Sequence, residues 1–474
     1  MTELLSAPAR ALVRDPGSFR DPSGFVFRRD GVLYRQVNSS FADRWDDLLA
    51  SGLITELQSR RLLIAHEAAA VEVAAEPELA HAVIRPEPVP TISYPYEWSF
   101  GMLRDAALLT LDAQAAAAER GFALRDATAY NVQFLRGHPI LIDTLSFERP
   151  ERGAPWIAYR QFCEHFLAPL ALMALRDVRL GLLLRDHVDG IPLDLAARLL
   201  PGRTRWNLGL GAHIHAHARA QGRYADDGAK AAAETKKTTV SEFKQQALLD
   251  SLRRTIAKLE WKPEGTEWAD YANNTSYGDA GTRAKEALVG RFLEKAGGNV
   301  VWDLGANTGR YSRIAAGLGR SVVSWDIDPA AVERNYRDVR GGNEELILPL
   351  VLDLANPSPG LGWANEERRT VADRANADVV LALALVHHLA IGRNVPLGRI
   401  SDYFAGLAPM LIIEFVPKDD PMVRTLLATR EDVFADYTID GFRAAVSGRW
   451  DIAAEEPIEG TARRLFLLTR RTSP

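Results

Sequence analysis

Two carboxylates and a glycine-rich turn stand at spacings that suit the binding of a nucleotide-like ligand. Residues 300–329 read VVWDLGANTGRYSRIAAGLGRSVVSWDIDP, in which one apolar run ends at Asp303 and a second ends at Asp326. Between them the chain passes through three small or turn-forming residues, Gly305, Asn307 and Gly309. Small residues let the backbone approach a ligand, and a carboxylate about 20 residues further on can accept hydrogen bonds from a ribose diol. The pattern predicts a nucleotide-type pocket in a strand–turn–helix–strand unit.

The acidic residue beside the turn, Asp303, indicates which of two kinds of ligand the pocket would bind. An anion at Asp303 would repel the phosphates of a dinucleotide, whereas it suits the sulfonium and ammonium of S-adenosylmethionine. The segment DLGANTG at 303–309 resembles the first motif of the class I S-adenosylmethionine-dependent methyltransferases. Asn307 replaces the middle glycine of that motif, and asparagine tolerates left-handed backbone better than most residues. The resemblance implies that S-adenosylmethionine is the cofactor.

The same resemblance implies roles for residues further along the chain. Asp326 would hold the ribose diol, and Asp353 and Leu354 after the third strand would contact the adenine. The resemblance implies further contacts to S-adenosylmethionine, the methyl donor, from Leu383 at the end of the fourth strand and from two tyrosines before the first strand, Tyr271 and Tyr277. The alternative is that the aspartates only end strands and cap helices, and that the tyrosines only pack.

Two adjacent histidines follow the fourth strand, in the sequence LALVHHL at 383–389. The Asn/Asp-Pro-Pro-aromatic sequence of many amine and amide methyltransferases is absent here, and the pattern resembles enzymes that methylate small molecules. His387 and His388 are therefore the candidate catalytic residues, because a neutral imidazole can take the proton of a hydroxyl group. The alternative is that they only brace the pocket, since methyl transfer depends mainly on alignment. Glu414 ends the fifth strand, where an acceptor could be recognised.

A second constellation lies in the first half of the chain. The segment LRDATAYN at 124–131 and the later Asp143 place Asp126, Asn131 and Asp143 at the spacing of a kinase catalytic loop and magnesium ligand, which they resemble. They form a candidate nucleotide and magnesium site. No glycine-rich phosphate loop precedes them, and Arg35 stands where a phosphate-pairing lysine is expected. The alternative is that the three side chains only stabilise turns.

Apart from this candidate magnesium site, no metal site is predicted. Cys163 is the only cysteine, which excludes zinc sites built from cysteines. His213, His215 and His217 alternate along the chain, but no further ligand accompanies them, so a structural role is predicted.

The composition and the N-terminal sequence indicate a soluble, cytoplasmic protein. A net charge of −5 gives no sign of a nucleic-acid partner, and no apolar run suggests a signal peptide or a membrane partner. The predicted acceptor is a small molecule or a glycan-type hydroxyl. A protein substrate docked on the first half, and a bifunctional enzyme that also binds ATP, stay open as alternatives.

These residues require an α/β framework. Strand and helix patterns alternate after about residue 285, which predicts a mostly parallel sheet. The family resemblance implies a Rossmann-like seven-stranded methyltransferase domain over 256–474. A mainly helical α+β domain, kinase-like in its spacing, is predicted for 1–220, with a linker and connecting helix over 221–255. The phrases YPYEWSF at 94–100 and DATAYNVQF at 126–134 resemble bacterial methyltransferases of the nodulation-protein type.

Overall fold

A computed structural model describes residues 12–219, 240–263, 279–428 and 431–471. The described chain is mixed α/β and contains a seven-stranded sheet that is mostly parallel, which confirms the prediction at that level. No helix in these ranges has the length and apolar character needed to cross a membrane.

The first half carries one five-stranded antiparallel sheet and two short strand pairs. The five strands lie in the order β1-β2-β3-β5-β4, and the pairs are β6 with β9 and β7 with β8. The strand bounds are β1 (Val13–Arg14), β2 (Gly24–Arg29), β3 (Val32–Asn38), β4 (His66–Ala69), β5 (Ala80–Pro86), β6 (Ala123–Leu124), β7 (Val132–Leu135), β8 (His138–Leu141) and β9 (Phe147–Glu148). The turn between β2 and β3 uses Asp30 and Gly31 with positive φ of 53° and 81°, the geometry of a two-residue hairpin.

Helices make up most of the remaining first half. Their bounds are α1 (Ala42–Ser51), α2 (Leu53–Ser59), α3 (Phe100–Glu119), α4 (Tyr159–Phe162), α5 (Ala168–Leu175), α6 (Leu183–Asp186), α7 (Leu193–Leu199) and α8 (Leu208–Leu210). The long helix α3 begins where the Ser99 side chain accepts a hydrogen bond from the backbone N–H of Met102. Its apolar and small residues are buried on several sides, so α3 is a central element of the core.

The second half is built on the seven-stranded sheet. Its strands are β10 (Val300–Leu304), β11 (Ser321–Asp326), β12 (Ile347–Val351), β13 (Val379–Ala382), β14 (Met410–Phe415), β15 (Trp450–Pro457) and β16 (Arg464–Arg470). Its helices are α9 (Glu242–Ala257), α10 (Asp279–Ala296), α11 (Arg310–Gly317), α12 (Pro329–Gly342), α13 (Leu397–Leu407), α14 (Pro421–Leu427) and α15 (Ile439–Val446).

The order of these strands decides where a ligand can bind. It is β12-β11-β10-β13-β14-β16-β15, with β10 to β14 parallel and β16 antiparallel to both of its neighbours. The order reverses direction at β10, whose neighbours are β11 and β13. In an open sheet of this kind, a crevice forms outside the carboxyl ends of the strands at such a switch point.

The two halves share one hydrophobic core, which runs from Val37 to Leu468. Polar contacts cross between them as well. Arg374 pairs with Glu97, and the backbone N–H of Gly101 donates to a carboxylate oxygen of Glu333 at 2.7 Å. The predicted domain boundaries stay a prediction, but the described surfaces of the two halves are packed together.

Candidate active site

The glycine-rich turn (residues 305–309) connects β10 to α11 at the switch point. Gly305, Asn307 and Gly309 have positive φ of 76°, 51° and 81°, so the sequence places glycine and asparagine where left-handed backbone is required. A Cβ atom at Gly309 would lie 2.5 Å from the side-chain oxygen of Asn335. A larger residue at Gly309 would therefore displace the side chains of Asn335 and Arg313 and would strain the backbone at its positive φ.

The backbone amides of this turn are already used within the chain. Gly305 and Ala306 donate to the carbonyl oxygen of Trp325 at 2.8 and 2.9 Å. Asn307 donates to Oδ2 of Asp326 at 2.7 Å, and Thr308 donates to the side-chain oxygen of Asn307 at 2.8 Å. A phosphate site at such a turn needs amides that point at the anion. In this turn the amides bond other groups of the chain instead, and the amide of Asn307 is the one that binds the strand-end carboxylate of Asp326.

Two buried carboxylates flank the turn. Asp303 is 1% exposed and its Oδ2 accepts from the Ser312 hydroxyl at 2.7 Å. Asp326 is 8% exposed and its Oδ1 accepts from the backbone N–H of Asp328 at 2.8 Å. Burial raises the pKa of Asp303 to about 6, and burial likewise raises the pKa of Asp326 to about 6 in spite of its backbone hydrogen bonds. This end of the sheet therefore favours positive charge and disfavours anions.

The predicted adenine contacts lie beside this pair. The backbone N–H of Leu352 donates to the carbonyl oxygen of Asp326 at 2.8 Å, which places Asp353 and Leu354 at the same edge of the sheet. Asp353 accepts from the backbone N–H of Ala355 at 2.9 Å and is partly exposed, as is Leu354. Leu383, in contrast, is 6% exposed.

The two histidines follow β13 and their rings are in contact, with centroids 4.1 Å apart and planes tilted by 38°. His387 is 0% exposed, and neither of its ring nitrogens has a hydrogen-bond partner within the described part of the chain. Burial holds the pKa of His387 well below its ordinary value, and burial with the nearby Arg463 lowers the pKa of His388 to about 4. Both imidazoles are neutral at pH 7, and only His388 is partly exposed.

Sequence reasoning missed the ion pairs behind these histidines. Glu414 is 0% exposed, and its carboxylate bonds Lys285 at 2.6 Å and Arg463 at 3.1 Å. It therefore does not lie at the mouth of the site, where the sequence suggested it could recognise an acceptor. Lys285 lies within the amphipathic sequence of α10, and no local pattern indicates that a lysine at this position is buried.

In the first half, the kinase-like spacing brings three side chains close together. Asp126 accepts from the backbone N–H of Thr128 at 3.0 Å, and Asn131 donates to the Ser146 hydroxyl at 3.4 Å. That hydroxyl in turn contacts Asp143, whose other oxygen lies 2.5 Å from the Arg35 guanidinium. Burial alone would raise the pKa of Asp143, but Arg35 and Ser146 outweigh it and the pKa lies below its ordinary value.

Other predicted residues lie elsewhere. Tyr271 and Tyr277 fall outside the described residues. His213 hydrogen-bonds the Tyr159 hydroxyl at 2.8 Å and the Ser251 hydroxyl at 2.9 Å, and His215 bonds Thr204 at 2.7 Å. Within the described ranges, no group of three or more histidine, cysteine or acidic residues is arranged to hold a metal ion.

The sheet and its switch-point site define a class, the open α/β proteins that bind ligands at the carboxyl edge of a parallel sheet. The chain belongs to the family of nodulation protein NoeA. It is 35% identical to NoeA of Rhizobium meliloti (strain 1021) over 467 residues, which cover 96% of each chain. This confirms the predicted likeness to the nodulation-protein group. No family model matches the chain.

Two solved structures show weaker similarity. The bifunctional kinase-methyltransferase WbdD is 15% identical over 45% of this chain and 45% of its own, with a TM-score of 0.30. Magnesium protoporphyrin IX methyltransferase (ChlM) from Synechocystis PCC 6803, with bound S-adenosylmethionine, is 18% identical over 44% of this chain and 86% of its own, also with a TM-score of 0.30.

Proposed function

We propose that this protein is an S-adenosylmethionine-dependent methyltransferase that acts on a small-molecule or glycan-type hydroxyl. The observation that carries the proposal is the glycine-rich turn, whose amides are used within the chain and whose flanks carry two buried carboxylates. A dinucleotide would bring phosphates to this point, whereas S-adenosylmethionine brings a sulfonium and an ammonium. The strand order with an antiparallel β16 supports a Rossmann-like class I methyltransferase layout.

The residues present fit this cofactor. Asp326 still has lone pairs for the ribose diol after its backbone hydrogen bonds, because a carboxylate accepts about four. Asp353 and Leu354 would contact the adenine, and Leu383 directly after β13 would be a further contact to the cofactor. When bound, S-adenosylmethionine supplies an electrophilic methyl group on its sulfonium.

In this proposal the residues after β13 would face the acceptor. Transfer forms a bond from the acceptor oxygen to the methyl carbon, breaks the bond from that carbon to sulfur, and releases the hydroxyl proton. His388 is neutral and partly exposed, so it is the residue that can take this proton directly or through water. His387 is fully enclosed, which suits a bracing role for that ring.

Donor affinity should depend on pH with a midpoint near 6. Because burial raises the pKa of Asp303 and of Asp326 to about 6, both carboxylates gain protons as the pH falls through that value. A protonated carboxyl attracts the sulfonium less and accepts fewer ribose hydrogen bonds. We expect S-adenosylmethionine to bind at least about tenfold more weakly at pH 5 than at pH 7, with protons released on binding near pH 6. Calorimetry in buffers of different ionisation enthalpy measures both, and a constant affinity from pH 5 to 8 would contradict the assignment.

The acceptor class is tested with methyl-labelled S-adenosylmethionine and lysate from a strain that lacks this protein. After incubation with the purified protein, label is counted separately in protein, nucleic-acid, lipid or glycan, and small-molecule fractions. Label in the small-molecule or glycan fraction supports the proposal. Label in protein would replace it with a protein methyltransferase whose first half docks the substrate, and no transfer to any fraction would reject methyl transfer altogether.

A second function is favoured by the convergence of Asp126, Asn131 and Asp143, which would bind a magnesium nucleotide in the first half. The Arg35–Asp143 ion pair must open before Asp143 can reach a metal, so binding should be weak. Titration of magnesium-ATP should give measurable binding to the wild type and at least about tenfold less to Asp143→Asn. Asp177→Asn, which changes an exposed acid elsewhere, is the control. If the wild type binds nothing, this function is removed.

A further inference from the structure

Four charged side chains are buried together behind the histidines, and they form a charge network. Lys285 bonds Glu414 at 2.6 Å, Arg463 bonds Glu414 at 3.1 Å, and Arg463 also bonds Asp420 at 2.7 Å. Their side chains are between 0% and 7% exposed. They come from α10, the end of β14, the loop before α14 and the residue before β16, so the network ties four separate segments together.

Stability alone does not account for such a network. Removing four charges from water is costly, and well-packed apolar side chains of similar volume often stabilise a protein as well or better. A buried ionic group is better explained when it fixes something that apolar packing cannot, such as the orientation of a polar backbone group. Glu414 has such a contact.

Glu414 holds the backbone that follows β13. The N–H of Ala384 donates to Oε2 of Glu414 at 2.9 Å, the same oxygen that bonds Lys285. Ala384 has a φ of 50°, a left-handed conformation that is unfavourable for a residue with a Cβ atom. A strained residue of this kind persists only when its surroundings impose it, and here a buried carboxylate does so.

The residues that Glu414 holds face the candidate donor site. We define the histidine turn as residues 384–388. Its Leu385 packs over the glycine-rich turn, since a Cβ atom at Gly305 would lie 3.4 Å from the Leu385 side chain. The rings of His387 and His388 contact each other at the end of the same segment. A shift at Ala384 would therefore move the residues that meet the donor and the acceptor.

We propose that Glu414, held by Lys285 and Arg463, is a positioning residue that sets the histidine turn against the methyl group of the donor. The inference rests on the proposed function, because it assumes that S-adenosylmethionine occupies the switch-point site. A carboxylate is needed because three hydrogen-bond donors reach Glu414: the side chains of Lys285 and Arg463 and the backbone N–H of Ala384. Glutamine has one acceptor oxygen and would turn an N–H₂ group towards another donor.

The test compares two ligands that differ only in the methyl group and its positive charge, S-adenosylmethionine and S-adenosylhomocysteine. A merely structural defect weakens both ligands equally. Misplacement of the histidine turn weakens mainly the ligand that carries the methyl group. For Glu414→Gln in the full chain, calorimetry should show S-adenosylmethionine binding about tenfold weaker, with S-adenosylhomocysteine changed less than about threefold.

Two further variants separate positioning from charge and from folding. The double variant Lys285→Met/Glu414→Gln keeps the net charge of the wild type and leaves no unpaired lysine, so it should fold and should still show the altered ratio of affinities. Asp402→Asn breaks an exposed ion pair with Arg449 outside the charge network, and its ratio should match the wild type.

Three outcomes would overturn the inference: a wild-type ratio in Glu414→Gln, equal losses for both ligands, or a double variant that regains the wild-type ratio through its restored charge balance. The last result would assign Glu414 a purely electrostatic effect. Failure of the proposed function looks different, because the wild type itself would then bind neither ligand.

Discussion

Replacing Asp326 with asparagine is expected to weaken S-adenosylmethionine binding by about 100-fold. A hydrogen bond to a charged acceptor contributes about 1.5–3 kcal/mol, and 1.4 kcal/mol corresponds to a factor of ten in affinity. Asp326 is the carboxylate at the end of β11, bonded by the N–H groups of Asn307 and Asp328 and thereby fixed towards the pocket. Calorimetric titration of the full chain measures the change.

The control for this variant must separate the ribose contact from the shape of the turn. An analogue of S-adenosylmethionine that lacks the ribose 2′-hydroxyl provides this control, because it removes the ribose–Asp326 hydrogen bond by changing the ligand instead of the protein. The wild type should discriminate against the analogue, and Asp326→Asn should bind donor and analogue almost equally. If the variant discriminates as strongly as the wild type, Asp326 does not contact the ribose. Asp328→Asn, which keeps the cap of α12, should bind the donor normally.

Much of the second half could be predicted from local sequence because its signals are local. Strands such as Ser321–Asp326 and Met410–Phe415 are short apolar runs, and the first of them ends at Asp326 as the sequence predicts. Parallel strands that are buried on both faces have uninterrupted apolar sequences, and turn-forming residues follow at their ends. The positions of Asp303 and Asp326 can be predicted in the same way. Each ends an apolar strand, and local sequence is enough to place a strand-end residue at the edge of the sheet.

The parts that sequence reasoning missed depend on pairs far apart in the chain. Glu97 and Arg374 are 277 positions apart, and neither stands in a pattern that marks it as buried. The same holds for Lys285 and Glu414, whose partners come from different segments. A charged residue in an amphipathic sequence is usually exposed. Only the tertiary structure therefore reveals that these four charged residues are buried. The loop between β12 and β13, which carries Arg374, likewise gave no sign that it contacts the first half.

Breaking the Glu97–Arg374 pair is expected to destabilise the whole chain. The two side chains are 1% and 3% exposed. Glu97 also accepts from the Ser358 hydroxyl at 3.1 Å, and Arg374 donates to the carbonyl oxygen of Ile92 at 2.6 Å. Arg374→Met leaves a buried carboxylate without its cation, a change that costs about 3–5 kcal/mol. Urea denaturation followed by circular dichroism measures this loss.

The location of the pair predicts how unfolding proceeds as well as how much stability is lost. Because one hydrophobic core runs through both halves, Arg374→Met should lower the midpoint of a transition that both halves share. Asp47→Asn, which breaks an exposed ion pair with Arg149 at the surface of the first half, should cost less than about 1 kcal/mol. Two separate transitions in the wild type, with only one moved by Arg374→Met, would show that the halves are stable independently. The pair would then join two finished domains instead of completing a common core.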